Sequence, residues 1–157
     1  MTEYRGDRGE VVGRFAVVAS RFNEAVTTKL LEGALACFAS AGFPESDVDV
    51  AWVPGAFDIP LVARRLAASG DYAGVVCIGA VVRGETSHHE VVAHQSAQGI
   101  REAGRDAGIP VTLGVVTTED LAQALDRAGG SMGNRGWDAA AAAIELASLL
   151  RRLPDAP

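Results

Sequence analysis

The stretch Gly74–Val81 (GVVCIGAV) is an unbroken run of small and apolar side chains. A strand with one wet face alternates polar and apolar residues. An unbroken run is covered on both faces, as in a parallel sheet flanked by helices. Arg14–Ser20 (RFAVVAS) has the same character, and Val48–Val53 and Val111–Val116 supply two further short strands. Helical patterns lie between them. One runs from about Val26 to Ala41, with Leu30, Ala34 and Phe38 on one face, and Gly42 and Pro44 stop it. A second runs from Phe57 to Ala68, starting near Asp58 and Pro60 and ending at Gly70, and a third from His88 to Ala107, closed by Gly108 and Pro110. A short helix is predicted from Thr118-Glu119-Asp120 to about Ala128, then a loop over Met132–Gly136. The last helix spans Trp137 to about Arg152, and its Ala139–Ala143 run favours close backbone packing.

Strands and helices in alternation with short connections predict one α/β domain over residues 14–157, with right-handed crossovers. Residues 1–13 are polar and glycine-containing; they are expected as an N-terminal arm or, through Glu10-Val11-Val12, an edge strand. Ligands of such sheets sit at the carboxyl ends of the strands. The loops 21–25, 54–58, 82–88 and 117–119 are therefore expected to share one rim.

The net charge of −6, with no basic cluster, argues against a nucleic-acid-binding face. No apolar run approaches membrane-spanning length and no secretory pattern precedes the core, so a cytoplasmic protein without a membrane partner is expected. Cys37 and Cys77, each in an apolar run, suggest neither a disulfide nor a metal framework.

Several rim residues could carry chemistry. The turn Arg83-Gly84-Glu85-Thr86 leads into a helix at His88, and Ser87 with Glu90 fits a capping box. Free N–H groups at a helix start attract anions, and His88 adds a titratable imidazole. That combination suits chemistry on a phosphorylated small molecule. It equally suits a glycine turn, a well-capped helix and solvated histidines. Phe22 could stack on a planar ligand or fold back over the sheet edge. Asp58 could accept from hydroxyls of a sugar-like chain, or merely cap the second helix. The first loop lacks both the glycine fingerprint of dinucleotide sites and a P-loop lysine. His89-Glu90-Val91-Val92-Ala93-His94 holds one residue too many for the zinc-protease helix: histidines five apart are rotated by roughly 140°. No metal is expected. His89 is expected to begin a different helix face from His88, so that His89→Ala behaves nearly as wild type. Arg127, in a last helical turn, suits the helix dipole, and Arg135 lies in a glycine-rich loop.

The motifs are more specific together. Arg21-Phe22-Asn23, Pro54-Gly55-Ala56-Phe57-Asp58-Ile59-Pro60, Gly79 to His88 (GAVVRGETSH), Gly114-Val115-Val116-Thr117-Thr118, Asp126-Arg127-Ala128-Gly129 and Gly133-Asn134-Arg135-Gly136 occur in this order. Over roughly residues 14 to 150 the chain resembles the lumazine synthase family of riboflavin biosynthesis. The resemblance implies a flavodoxin-like three-layer α/β/α sandwich with a four-stranded parallel sheet. It implies condensation of 5-amino-6-(D-ribitylamino)uracil with 3,4-dihydroxy-2-butanone 4-phosphate, with no metal or organic cofactor. A non-catalytic member that binds riboflavin or a related ligand is the alternative.

By that resemblance Phe22 stacks on the pyrimidine, while Ala56, Phe57 and Asp58 meet the ribityl chain. Ala80, Val81, Val82 and Leu113 line the ring pocket; Glu85, Thr86 and Arg127 hold the phosphate; and His88 transfers protons. Asn23 and Arg135 are further candidates. The chain departs from the family's usual pattern at Ser87, His89, Glu90 and Val91, at Asp58 (commonly glutamate) and at Leu113 (commonly phenylalanine). The family forms pentamers, some of which build an icosahedral shell. The short Gly129–Gly136 connection favours the shell here, and riboflavin synthase is an implied partner. Each site is expected to be shared, with Phe22, Asp58 and His88 facing Leu113, Arg127 and Arg135 of the next subunit.

Overall fold

Every residue of strand β1 (Phe15–Ser20) is buried, and its two faces feed two different cores. Phe15, Val17 and Ala19 pack with helices α1 (Glu24–Ser40) and α5 (Arg135–Leu150). Ala16 and Val18 pack with α2 (Ile59–Ala68) and α3 (His88–Ala107). This double burial is why the strand sequence shows no polar alternation. The structure, a computed structural model, describes residues 1–156; Pro157, the last position of the expected domain range, lies outside them. β1 pairs in parallel with β2 (Val48–Val53) on one side and β3 (Gly74–Val82) on the other, and β4 (Val111–Thr118) completes the order β2-β1-β3-β4. The architecture is the expected flavodoxin-like α/β/α sandwich.

On the α1/α5 side, Phe15, Phe38 and Phe43 form a mutual aromatic cluster with ring centroids 5.2–5.4 Å apart. Each such contact adds about 0.5–1.5 kcal/mol beyond simple burial. Cys37 and Cys77 are both buried and free, and burial pushes both thiols up in pKa, away from the reactive thiolate.

The structure differs from the sequence reading in four local places. β4 is longer than expected, because Thr117 and Thr118 continue its pairing opposite Val81 and Val82. The Phe57 start of the second helix is a separate 3-10 turn, Ala56–Asp58, and α2 begins at Ile59. The fourth helix, α4, is only Leu121–Asp126, capped by the Asp120 carboxylate, which accepts from Gln123 N at 2.8 Å. After it the chain forms a small antiparallel ribbon, β5 (Ala128–Gly130) with β6 (Gly133–Asn134), where a loop was expected.

Residues 1–13 contain no strand; the polar part of the arm lies on α5 instead. Ser148 Oγ, wholly buried, accepts from Asp7 N at 2.9 Å and donates to Glu10 Oε2 at 2.6 Å. Arg152 pairs with the same Glu10 oxygen at 2.8 Å, and Arg8 reaches Glu145 at 2.6 Å. The Ser148 hydroxyl, followed by Arg152 and Arg151, holds the Glu10 carboxyl below its ordinary pKa. A depressed folded-state pKa stabilises the arm while the carboxylate is charged, and that contribution is lost as pH falls through the folded value. Amide protection factors over residues 7–12 should therefore drop as pH falls below about 4, the ordinary carboxyl range. Glu10→Gln should show low protection without that acid step. An unchanged acid step in Glu10→Gln would assign it to another group.

Candidate active site

The carboxyl ends of β1, β2 and β3 open onto a cleft of about 440 Å³, within the ordinary size of a small-molecule pocket. Ala56, Ala80, Val81 and Val82 line it with small and apolar residues. Phe22 and Phe57 form its aromatic wall, and both are largely exposed, at 70% and 62%. Rings left open on the rim of a cleft, with no core to fill, are available to a ligand.

The local chemistry explains how Phe22 is held there. Arg21 N and Phe22 N donate to the carbonyls of Val53 (2.8 Å) and Pro54 (3.0 Å), tying the first loop to the turn after β2. Asn23 then takes a left-handed conformation, φ 61°, that few residues besides glycine, asparagine and aspartate adopt readily. Its carbonyl accepts from Val26 N and Thr27 N, and its side-chain amide donates to Ala80 O at 3.2 Å. Asn23 thus starts α1, anchors the loop to β3 and reverses the chain so that Phe22 stays on the cleft.

The turn after β3 is fixed from β4. Arg83 N donates to Thr118 O at 2.9 Å and the Arg83 guanidinium reaches Glu119 at 3.0 Å. Gly84, Thr86, His88, His89 and Val92 complete the lining. The capping box expected from Ser87 and Glu90 does not form. Ser87 sits at φ −78°, ψ 10° rather than in the extended conformation a side-chain cap uses, and its hydroxyl caps nothing. Thr86 Oγ1 instead accepts from His88 N at 3.3 Å. A true reciprocal cap occurs one loop away, where Asp58 Oδ2 accepts from Gly55 N at 2.9 Å and Asp58 N donates to Gly55 O.

The family comparison now bears on this cleft: residues 13–151 match the family described as 6,7-dimethyl-8-ribityllumazine synthase. The chain belongs to that family. Membership supports lumazine synthase activity within riboflavin biosynthesis in general, a transferase-type reaction on small molecules.

Of the residues singled out from the lumazine synthase resemblance, Phe22, Asn23, Ala56, Phe57, Ala80, Val81, Val82, Thr86 and His88 line the one cleft. Glu85 lies in the same turn, and Asp58 stands beside the wall with its carboxylate engaged by Gly55. Leu113, Arg127 and Arg135 lie elsewhere on the chain. Leu113 is half-exposed on the α3 side of β4, beside a groove it shares with Ala97, Ile100 and Arg101. Arg127 donates to Gln123 O at 3.0 Å, closing the end of α4, and Arg135 pairs with Asp138 at 3.1 Å. The two arginines stand side by side at the open end of the β5–β6 ribbon, where Arg135 N donates to Arg127 O at 2.9 Å.

His89, expected on a different helix face from His88, lines the same cleft. Neighbouring positions on a helix point about 100° apart, and the cleft wraps the first turn of α3 widely enough to take both. Among the described residues no helix is long and apolar enough to cross a membrane, and no cluster of three metal-binding side chains occurs.

Proposed function

We propose that this chain condenses 5-amino-6-(D-ribitylamino)uracil with 3,4-dihydroxy-2-butanone 4-phosphate, giving 6,7-dimethyl-8-ribityllumazine, phosphate and water. One observation carries the reading: a single cleft joins two aromatic rings, the small and apolar residues Ala80, Val81 and Val82 at the end of β3, and an imidazole at the start of a 20-residue helix. The aromatic rings and apolar residues suit a planar heterocycle. The Glu85–Thr86 turn and the positive end of α3 suit a phosphate. His88 can take a proton from the attacking amine and return one to the departing hydroxyl as the Schiff base forms. It can then assist phosphate loss, since an imidazole gives and takes protons near neutral pH. Purified protein mixed with both substrates should produce lumazine absorbance and equimolar phosphate. Tight pyrimidine binding without either product would mark a non-catalytic binder instead.

The phosphate requires a cation, and Arg127 supplies it from a second copy of the chain, as does Leu113 a wall for the ring, within a pentameric ring. The short ribbon between Arg127 and Arg135 favours further assembly into an icosahedral shell, and sedimentation at micromolar concentration showing only pentamers would remove that last step. Arg127→Ala should weaken butanone phosphate by about 10- to 100-fold, the range for a lost charged hydrogen bond, and leave ribitylaminouracil nearly unchanged. Equal weakening of both substrates would point to a folding defect. His88→Ala and Arg127→Ala subunits refolded together should regain activity, because some neighbouring pairs then carry two intact halves. Mixed rings no better than the average of the two parents would place both residues in one chain's site.

A further inference from the structure

The turn between β3 and α3 has few ties to the rest of the fold. Residues 84–88 are all exposed, and a Cβ at Gly84 would meet nothing within 4 Å. Thr86 Oγ1 accepts from His88 N and Ser87 O from Glu90 N, bonds that join the turn only to its own helix. Among the described residues, the hydrogen bonds that leave the turn for another element both start at Arg83, which opens it. Arg83 N donates to Thr118 O at 2.9 Å and its guanidinium to Glu119 Oε2 at 3.0 Å. Glu119 is itself fixed. Its N donates to Gln123 Oε1 at 2.9 Å, and Gln123 N donates to Asp120 Oδ1 at 2.8 Å, so Glu119 stands between the end of β4 and a capped helix.

A loose turn must be ordered when its N–H groups close on an anion, and that ordering is subtracted from the affinity. A contact that orders the turn beforehand strengthens binding without touching the ligand. We propose that Glu119 is a positioning residue for the phosphate-bearing substrate: through Arg83 it presets the Gly84–Thr86 turn. This rests on the function proposed above, which sets the phosphate against that turn. Neither Arg83 nor Glu119 lines the cleft. Their side chains are 53% and 62% exposed, so the pair adds little to global stability and its effect falls on the turn. The sign of the effect separates positioning from plain electrostatics. Glu119 carries the same charge as the ligand, so by charge alone its removal tightens the binding of an anion. By positioning, its removal weakens that binding.

The test measures KM for butanone phosphate and the inhibition constant of inorganic phosphate. In Glu119→Ala both should rise by about 2- to 5-fold, the equivalent of one exposed ion pair. The same variant should hold kcat, KM for ribitylaminouracil and the urea unfolding midpoint. Glu119→Gln keeps an acceptor for the guanidinium and drops the charge, and it should recover most of the loss. Arg83→Ala should show at least the loss of Glu119→Ala. Combining the two should add nothing further, because Glu119 acts through its partner. Tighter phosphate in Glu119→Ala, or losses that add in the double variant, overturns the positioning role. Equal weakening of both substrates with a lowered urea midpoint overturns it too, as the mark of a general folding defect. If wild type makes no lumazine, the function proposed above fails and this inference with it. A wild type that turns over, with every variant alike, overturns this inference alone.

Discussion

His88→Ala should lower kcat by about 10²- to 10⁴-fold, the usual contribution of a positioned general acid–base, while both substrates still bind. The loss is partial because holding two reactants together supplies a large part of the acceleration by itself. Binding survives because the rest of the lining, Ala80, Val81, Phe22 and Phe57 among it, is left in place. Its removal also leaves the start of α3 intact, since it is the backbone N of His88 that donates to Thr86 Oγ1. The variant should therefore keep the wild-type unfolding midpoint, and rapid mixing should show pyrimidine binding followed by slow lumazine formation. A His88→Ala enzyme with unchanged kcat would overturn the proton-transfer role given to His88.

Gly136→Ala should destabilise the fold by about 3 kcal/mol or more, at the top of the range for overpacking. A Cβ there would fall 1.9 Å from the Leu30 carbonyl oxygen and 2.7 Å from its carbon. Both atoms belong to the main chain of α1, so no side-chain rotation relieves the clash; α1 and α5 would have to separate. Their contact is also pinned by Asn134. Its Oδ1 caps α5 by accepting from Gly136 N at 2.9 Å and Trp137 N at 3.1 Å, and its Nδ2 donates to Lys29 O at 3.0 Å. Separation would break these bonds and open the cluster of Leu30, Ala140 and Ile144. Urea unfolding measures the effect, with Gly84→Ala as the comparison, because a Cβ at Gly84 meets nothing within 4 Å. A Gly136→Ala protein within about 0.5 kcal/mol of wild type, the scatter of ordinary surface changes, would mean that α5 shifts freely on α1.

The chain's own pattern determined the parallel sheet, its four strands, the layers of helices and the loops that form the rim. Those features follow from which side chains leave water, and the periods of 2 and 3.6 write that into neighbouring residues. Unbroken runs such as Phe15–Ala19 and Gly74–Val81 could only be strands covered twice. Recognising Phe22, Phe57 and His88 needed the ordered motifs as well, since each loop alone suited an inert turn as readily as a site. Tertiary structure decided what depended on partners distant in sequence. The turn before α3 is tied down by Arg83 bonding to Thr118 and Glu119, a contact across 35 or more positions, and Ser87 does not form its cap. The left-handed turn at Asn23 is fixed by Ala80, on a strand far along the chain. His89 reads locally as one more solvated residue of a polar helix start. Only the tertiary structure brings it into the lining of the cleft, because burial is a property of what stands opposite a side chain and not of the residues beside it.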